Sequence, residues 1–498
     1  MERKKNVEDL VDPAPGRARQ GVVRATAVWF ITLFILFLVL VLLGMVMRFG
    51  QAETVSYSPG LFYAIMTLHG LGMVGVMFCG GLIGVRYLLL RYIKLSSSLT
   101  WVIYVMTLIG VVGLIAATLI GRFGAGWYVL YPLPFMHMGT WENWATGLVI
   151  ISLLILGVAW LLGLLDMLKG IAGEYGLSNI LGWQYFQNNT NKKEVPPIVL
   201  IASVSALDGV ISILCGATLL LLFLFKWINP SISFNALLIK NMTFMFGHLL
   251  VNITMFFGFG IIYELFPLFS GRPWKTNKIM VFAWNTSLIL LLLATFHHLY
   301  MDFAQPLPFQ FLGQVASYLS TIPTIAVTIV GAIGQVYHSG IVWKFTPLSF
   351  YIALISWAIG VFAAVVDSTI RVNFIFHNTL WVPAHFHTYF WMGFSLMFFG
   401  MAYHFFTQNM SGVSQVWAKS SLWIMVIGGY GVLLMFYLGG MTGVPRRFAE
   451  YSSIPIETVA IAGKTLAFTA SLFGIIFIVG LIMFYFSLLF RQKEGIKT

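Results

Sequence analysis

The chemistry of this chain is concentrated in histidine. Ten histidines occur in 498 residues. Six of them, His69, His248, His297, His298, His385 and His387, stand inside long apolar stretches. An imidazole there is costly to bury and faces a protein interior for a purpose. One alone reads as a packing residue bonded to a neighbour; six in close pairings do not. His385 and His387 are two residues apart, so on a helix they point about 200° away from each other. One helix then offers ligands to two different irons on opposite faces. His297 and His298 are about 100° apart on a helix and meet on one metal only if another helix helps. His248 is the natural third ligand. Imidazole clusters suit copper, zinc or iron, and a heme iron needs an axial ligand such as histidine. His69 is left to pair with one of the His385/His387 couple.

Holding such residues in hydrocarbon takes many spanning elements, and the composition supplies them. The chain is 59% hydrophobic and 9% charged, with a mean hydropathy of +0.90; a soluble domain carries about 25% charged residues. Apolar runs of spanning length fall near 25–47, 60–91, 98–120, 145–166, 197–226, 240–267, 279–300, 307–336, 346–366, 379–406, 420–440 and 466–490. They lack the alternation of barrel strands, so the expected fold is an all-α polytopic bundle of about twelve transmembrane helices. It forms one catalytic domain over 25–490, between a cytoplasmic segment 1–24 and a cytoplasmic tail 491–498. The first run reads as a retained helix rather than a signal peptide.

The net charge of +12 does not mark a nucleic-acid binder. The basic residues cluster at the N-terminus (Arg3, Lys4, Lys5, Arg17, Arg19, Arg24), in short loops and in the tail (Arg491, Lys493, Lys497). That is the positive-inside pattern, with both termini in the cytoplasm. The two cysteines, Cys79 and Cys215, lie far apart with no C-x-x-C-H heme attachment motif, so any heme is held by histidine alone.

Four stretches carry a family resemblance: Thr67-Leu-His-Gly, Gly247-His248, His297-His298, and the run from His377 through Trp381-Val-Pro-Ala-His-Phe-His387. In order and spacing they resemble the heme-copper oxidase superfamily catalytic subunit over essentially the whole membrane domain. The tenth run and Val444-Pro-Arg-Arg447 look most like its B family. The resemblance implies that His69 and His387 are axial ligands of a low-spin heme and that His385 is the proximal ligand of a high-spin heme. His248, His297 and His298 then hold a second metal facing it, and Arg446 and Arg447 pair with heme propionates.

One position departs from the oxygen-reducing pattern. There, a tyrosine follows the sixth-helix histidine by four residues and supplies an electron and a proton. Here position i+4, on the same helix face, is Asn252, which can form no phenoxyl radical. A second oxidase branch carries its tyrosine on the seventh helix, at the position of Leu291. Tyr300 points nearly the opposite way, and no substitute is apparent. A dinuclear site without tyrosine resembles the nitric oxide reductases of the superfamily. One well-known branch has a glutamate at this position, from which asparagine also departs. Asn252 ligates weakly at best, or hydrogen-bonds a bound NO. Three histidines and a neutral fourth group make copper as plausible as iron, and copper is the expected non-heme metal.

The expected reaction is therefore nitric oxide reduction at a high-spin heme and a non-heme metal, fed by a low-spin heme. Its alternative is an oxygen-reducing terminal oxidase, of cytochrome c or quinol, that lacks the usual tyrosine. No motif for electron input occurs, so the resemblance implies a membrane-anchored donor subunit, cupredoxin-like or cytochrome c-containing, in a prokaryotic cytoplasmic membrane. A twelve-helix transporter would share the hydropathy but not the histidine pairings. The B-family proton path keeps Tyr263, but Phe259 and Val327 replace its next hydroxyls and interrupt it. Asp208 is expected to be internal, paired or carrying a proton, and Glu264 to be either an acid of the inner membrane half or a solvated helix end. His137, His338 and His404 read as structural or solvated. Asp302 and His377 are expected near the propionates, and Trp381 and Phe386 along the hemes.

Overall fold

In the computed structural model, residues 17–187, 193–408 and 414–489 are described; the expectations for 1–16 and the 491–498 tail lie outside them. Eleven helices among these residues are long and apolar enough to cross a membrane. They are α1 (Arg19–Gln51 of the helix Arg17–Gln51), α2 (Pro59–Leu89), α3 (Ser97–Ile120), α4 (Asn143–Tyr175), α5 (Pro197–Ile228), α6 (Ala236–Ser270), α7 (Lys278–Leu299) and α8 (Leu307–Val336), then α9 (Phe345–Asp367), α11 (Gln415–Met441) and α12 (Glu457–Leu489). Between α9 and α11 runs α10, helical through Trp381–His387, Thr388–Phe394 and Ser395–Thr407. It is not among the eleven, where about twelve were expected, and it carries His385, His387 and His404. The protein is an all-α polytopic membrane bundle.

Several helices overrun the hydropathic runs that mark them. Hydropathy registers only hydrocarbon depth, whereas a helix continues until a cap satisfies its free N–H groups. Ser58 accepts from Leu61 N, Asn235 from Leu238 N and Asn277 from Met280 N, starting α2, α6 and α7. Neighbours in sequence pack side by side, and α12 returns against α1. Helix α6 is central: 89% of its apolar window is buried, against 28% for α8. The central helix therefore carries ligands, and the outer one can face lipid.

Two departures from regular helix lie beside the histidines. Helix α7 tightens into a 3-10 turn at Thr295–Leu299, and α10 widens into a π-helical stretch at Thr388–Phe394, directly after His387. Such local windings are common at functional sites.

Candidate active site

Helix α2 presents His69 and α10 presents His387. Their rings are 14° from parallel with centroids 6.4 Å apart. His69 Nδ1 meets the Leu40 carbonyl at 2.8 Å, and His387 Nδ1 meets that of Pro383 at 2.7 Å. Each Nδ1–H is thereby occupied and each Nε2 keeps a free lone pair. An iron bonded at about 2 Å to both Nε2 atoms needs ring centroids about 6.3 Å apart, so the gap fits a bis-imidazole heme iron. Gly44 makes the approach of α1 possible, since a Cβ there would lie 3.0 Å from His69 Cε1.

A cavity of about 510 Å³ runs from this pair to His385, His297 and His298. Its outer end is ringed by Arg48, Lys240, Arg446 and Arg447. The loop before α12 is pinned to the start of α10 by Leu380 N donating to Val444 O and Arg446 N to Asn378 O, both 2.9 Å. Arg447 adopts a left-handed φ of 65°, a strained conformation for a non-glycine residue, and its guanidinium lies 4.7 Å above the Tyr128 ring. Arg446 Nε is buried and makes no hydrogen bond. A buried guanidinium nitrogen without a partner invites an anion, which fits heme carboxylates. His377 lines the same end, its pKa pushed down to about 4 by burial first and then by Arg446.

The second centre is built from three helices. His248 Nδ1 and His298 Nε2 are 3.0 Å apart, and a ligand atom from each of His248, His297 and His298 lies within 4.8 Å of the others. A metal with bonds of about 2.0 Å to two imidazoles holds their nitrogens about 3.3 Å apart, so the cluster is close to a ligand set. The 3-10 turn brings the His297 and His298 rings to 4.1 Å. Gly313 lets α8 close on that turn, because a Cβ there would fall 2.7 Å from His297 N. One turn further, Ser317 Oγ meets His297 Nδ1 at 2.7 Å and orients the ring. Phe244 stacks on His298 at 5.0 Å.

A second cavity of about 170 Å³ adjoins His248, His297, His298 and His385. Asn252 and Leu291 line it. The Asn252 amide donates to His248 O at 2.8 Å, which leaves its carbonyl oxygen available to the cavity.

The structure thus brings together all six span histidines with Asn252, Arg446 and Arg447. Phe386 lines both cavities, whereas Trp381 stacks on Phe376 and lines neither. Asp302 is held by Lys240 at 3.0 Å. Tyr300 is turned away, its hydroxyl donating to Ser368 O. Glu264 is not a solvated end: it is 9% exposed and bonded to Arg91 and Tyr92. Asp208 is fully buried with neither oxygen hydrogen-bonded. Sequence reasoning missed Arg48, Lys240, Ser317 and Tyr389. The last lies edge-on to His385 at 5.2 Å and lines the second cavity. It stands at i+4 from His385, so the spacing rule that singled out Asn252 also finds it.

Comparison with known proteins agrees with this geometry. The family described as "Cytochrome C and Quinol oxidase polypeptide I" matches residues 24–476. An "Alternative cytochrome c oxidase subunit 1" of Bradyrhizobium diazoefficiens is 23% identical over 87% of this chain and 74% of that one. A "Ubiquinol oxidase subunit 1" of Acetobacter aceti is 27% identical over 44% of this chain and 33% of that one. Apart from the Bradyrhizobium protein matched over 74%, the first curated relatives are spanned over only about a third of their length, 33–38%. A solved heme-copper terminal oxidase dimer has the same fold, with a TM-score of 0.77 at 18% identity over 95% of this chain and 85% of that one. Fold and site together define an all-α membrane protein that holds a pair of facing histidines and a three-histidine cluster in one bundle. The chain belongs to the heme-copper oxidase subunit I family.

Proposed function

We propose that this protein reduces nitric oxide to nitrous oxide, 2 NO + 2 e⁻ + 2 H⁺ → N₂O + H₂O. The observation that carries the reading is Asn252, which occupies the cavity beside His248 where the oxygen-reducing pattern has a tyrosine. A two-electron reduction needs no oxidisable side chain at the metal.

When bound, the high-spin heme iron and a non-heme metal, copper in this reading, supply electrons and Lewis acidity to the substrate. The chain's residues do the rest. His385 tethers one side of the cavity, and His248, His297 and His298 hold the other. The second N–H of the Asn252 amide is free to donate to a bound NO oxygen, and Leu291 keeps the wall apolar. His69 and His387 hold the electron-feeding heme, while Arg446 and Arg447 anchor heme carboxylates. Electrons come from a membrane-anchored cupredoxin-like or cytochrome c-containing subunit. The chain lies in a prokaryotic cytoplasmic membrane with both termini inside and one catalytic domain over 25–490.

The test is anaerobic NO consumption by the pre-reduced complex, with O₂ uptake measured on the same preparation. Rapid NO loss with N₂O formed and slow O₂ uptake supports the reading; fast O₂ reduction with negligible NO turnover overturns it. One second reading has an observation behind it. Tyr389 lines the same cavity, and the relatives are named oxidases, so oxygen reduction with Tyr389 as the phenol is the alternative. A Tyr389→Phe variant that loses O₂ turnover with its hemes intact would favour it.

A further inference from the structure

An acid at membrane depth is costly unless something balances its charge. Asp166 meets Arg86 at 2.7 Å and Glu264 meets Arg91 at 2.9 Å. Asp208 has no such partner. It stands in α5 (Pro197–Ile228), about 16 Å from the start of that helix, and its exposure is 0%. Neither of its oxygens makes a hydrogen bond, and Ser205 Oγ, one turn before it and also fully buried, makes none either. Ser203 and Ser212 on the same helix donate to main-chain carbonyls. The Ser205 hydroxyl stays free for Asp208, its neighbour on the helix surface.

The helices around α5 fix where this pair lies. A Cβ on Gly209 would come 3.0 Å from Ile253 Cδ1 on α6, and Ser212 Oγ donates to Phe246 O at 2.7 Å. Asp208, between them in sequence, therefore stands at the height of the α6 segment that carries His248 and Asn252. Ile213 turns to α4, where a Cβ on Gly157 would lie 3.8 Å from it. Asp208 is about 140° round the helix from Ile213, on the flank away from α4. Helix α7 packs on α5 and carries Ser287 and Leu291 of the reaction cavity. The Ser205/Asp208 pair thus falls in the wedge of α5, α6 and α7, about 10 Å, one helix spacing, from the three-histidine centre.

A bare carboxylate in that wedge would have no counter-charge, so its resting form is the neutral acid. We infer that Asp208 is a redox-linked proton site of the three-histidine centre, holding a proton while the centre is reduced and yielding it when the centre is oxidised. Each electron lost adds positive charge one helix away, in a medium of low dielectric, and that charge favours the carboxylate. The O–H bond of Asp208 breaks and its proton goes to the reaction, which consumes one proton per electron. The Ser205 hydroxyl then donates to the carboxylate left behind. On reduction the acid takes a proton back from water. The inference rests on membership of the heme-copper family and not on the choice between NO and O₂.

The experiment is reduced-minus-oxidised infrared difference spectroscopy of the purified complex, driven by an electrode with mediators, in H₂O and in D₂O. Neither NO nor O₂ is present, so failure here leaves the proposed reaction standing, and the reverse. A carboxylic acid C=O band is expected in the reduced state, shifted in D₂O. Asp208→Asn is expected to lose that band with its heme spectra unchanged, and Ser205→Ala to shift it. The protons taken up on reduction, counted with a pH-indicator dye, are expected to fall in Asp208→Asn. Should that variant fail to assemble its hemes, Asp208→Glu carries the test, with the band expected at a new frequency. A difference spectrum and a proton count that Asp208→Asn leaves identical to the wild type overturn the inference, as does a band that Asp208→Glu does not move.

Discussion

Helix α10 serves two centres that are built on opposite plans. At the His69/His387 pair each Nδ1 is bonded to a main-chain carbonyl, the rings are nearly parallel, and α1 closes on the site with a glycine. At the His248/His297/His298 centre His297 Nδ1 is bonded to a side chain, Ser317, and a cavity of about 170 Å³ stays open beside the cluster. Main-chain partners cannot rotate away, so the first pair of rings is fixed in one geometry, as an iron proposed for electron transfer would require. The second keeps space and adjustable donors, as a reaction requires. The difference matches the proposed division between an electron-feeding site and a reacting one.

The largest expected effect separates the two regions completely. His297→Ala should abolish the non-heme metal and lower turnover by about a hundredfold or more, while the bis-imidazole heme spectrum persists. Metal analysis and reduced-minus-oxidised spectra read both. His387→Ala should do the reverse to the spectra, and if either substitution removes both signals the division fails. Next, Asn252→Leu removes the polar group of the open cavity at similar volume. NO turnover should fall about tenfold with both hemes and the metal retained; an unchanged rate would make Asn252 a bystander.

Ser317→Ala tests the adjustable partner of His297. Metal affinity should weaken about tenfold, measured by chelator competition, and Ser317→Thr should preserve it. The smallest effect belongs to the closed region. Arg48 borders its cavity, so Arg48→Gln should lower the low-spin heme potential by some tens of millivolts, where about 59 mV is a tenfold change for one electron. A redox titration that shifts only the high-spin heme would reassign Arg48 to the reaction centre.

Much of this was legible in the chain itself. Length of apolar runs and the histidine spacings are local properties, because hydrocarbon thickness fixes helix length and 3.6-residue periodicity fixes which face a ligand takes. Thus the all-α bundle, the two-sided role of α10 and the reach of His248 toward His297 and His298 could be read residue by residue. The i+4 rule placed Asn252 at the cavity and would have placed Tyr389 as well.

What the sequence did not decide depends on residues far apart in it. Glu264 reads as a helix end in one dimension, yet Arg91 and Tyr92, more than 170 positions away, enclose it. Arg48 and Lys240 are ordinary helix-end cations until the bundle closes and sets them beside Arg446 and Arg447. Ser317 becomes a histidine partner only because Gly313 allows α8 to meet the 3-10 turn of α7. Local periodicity fixes the direction of each side chain along its own helix; only packing of one helix on another decides what it meets.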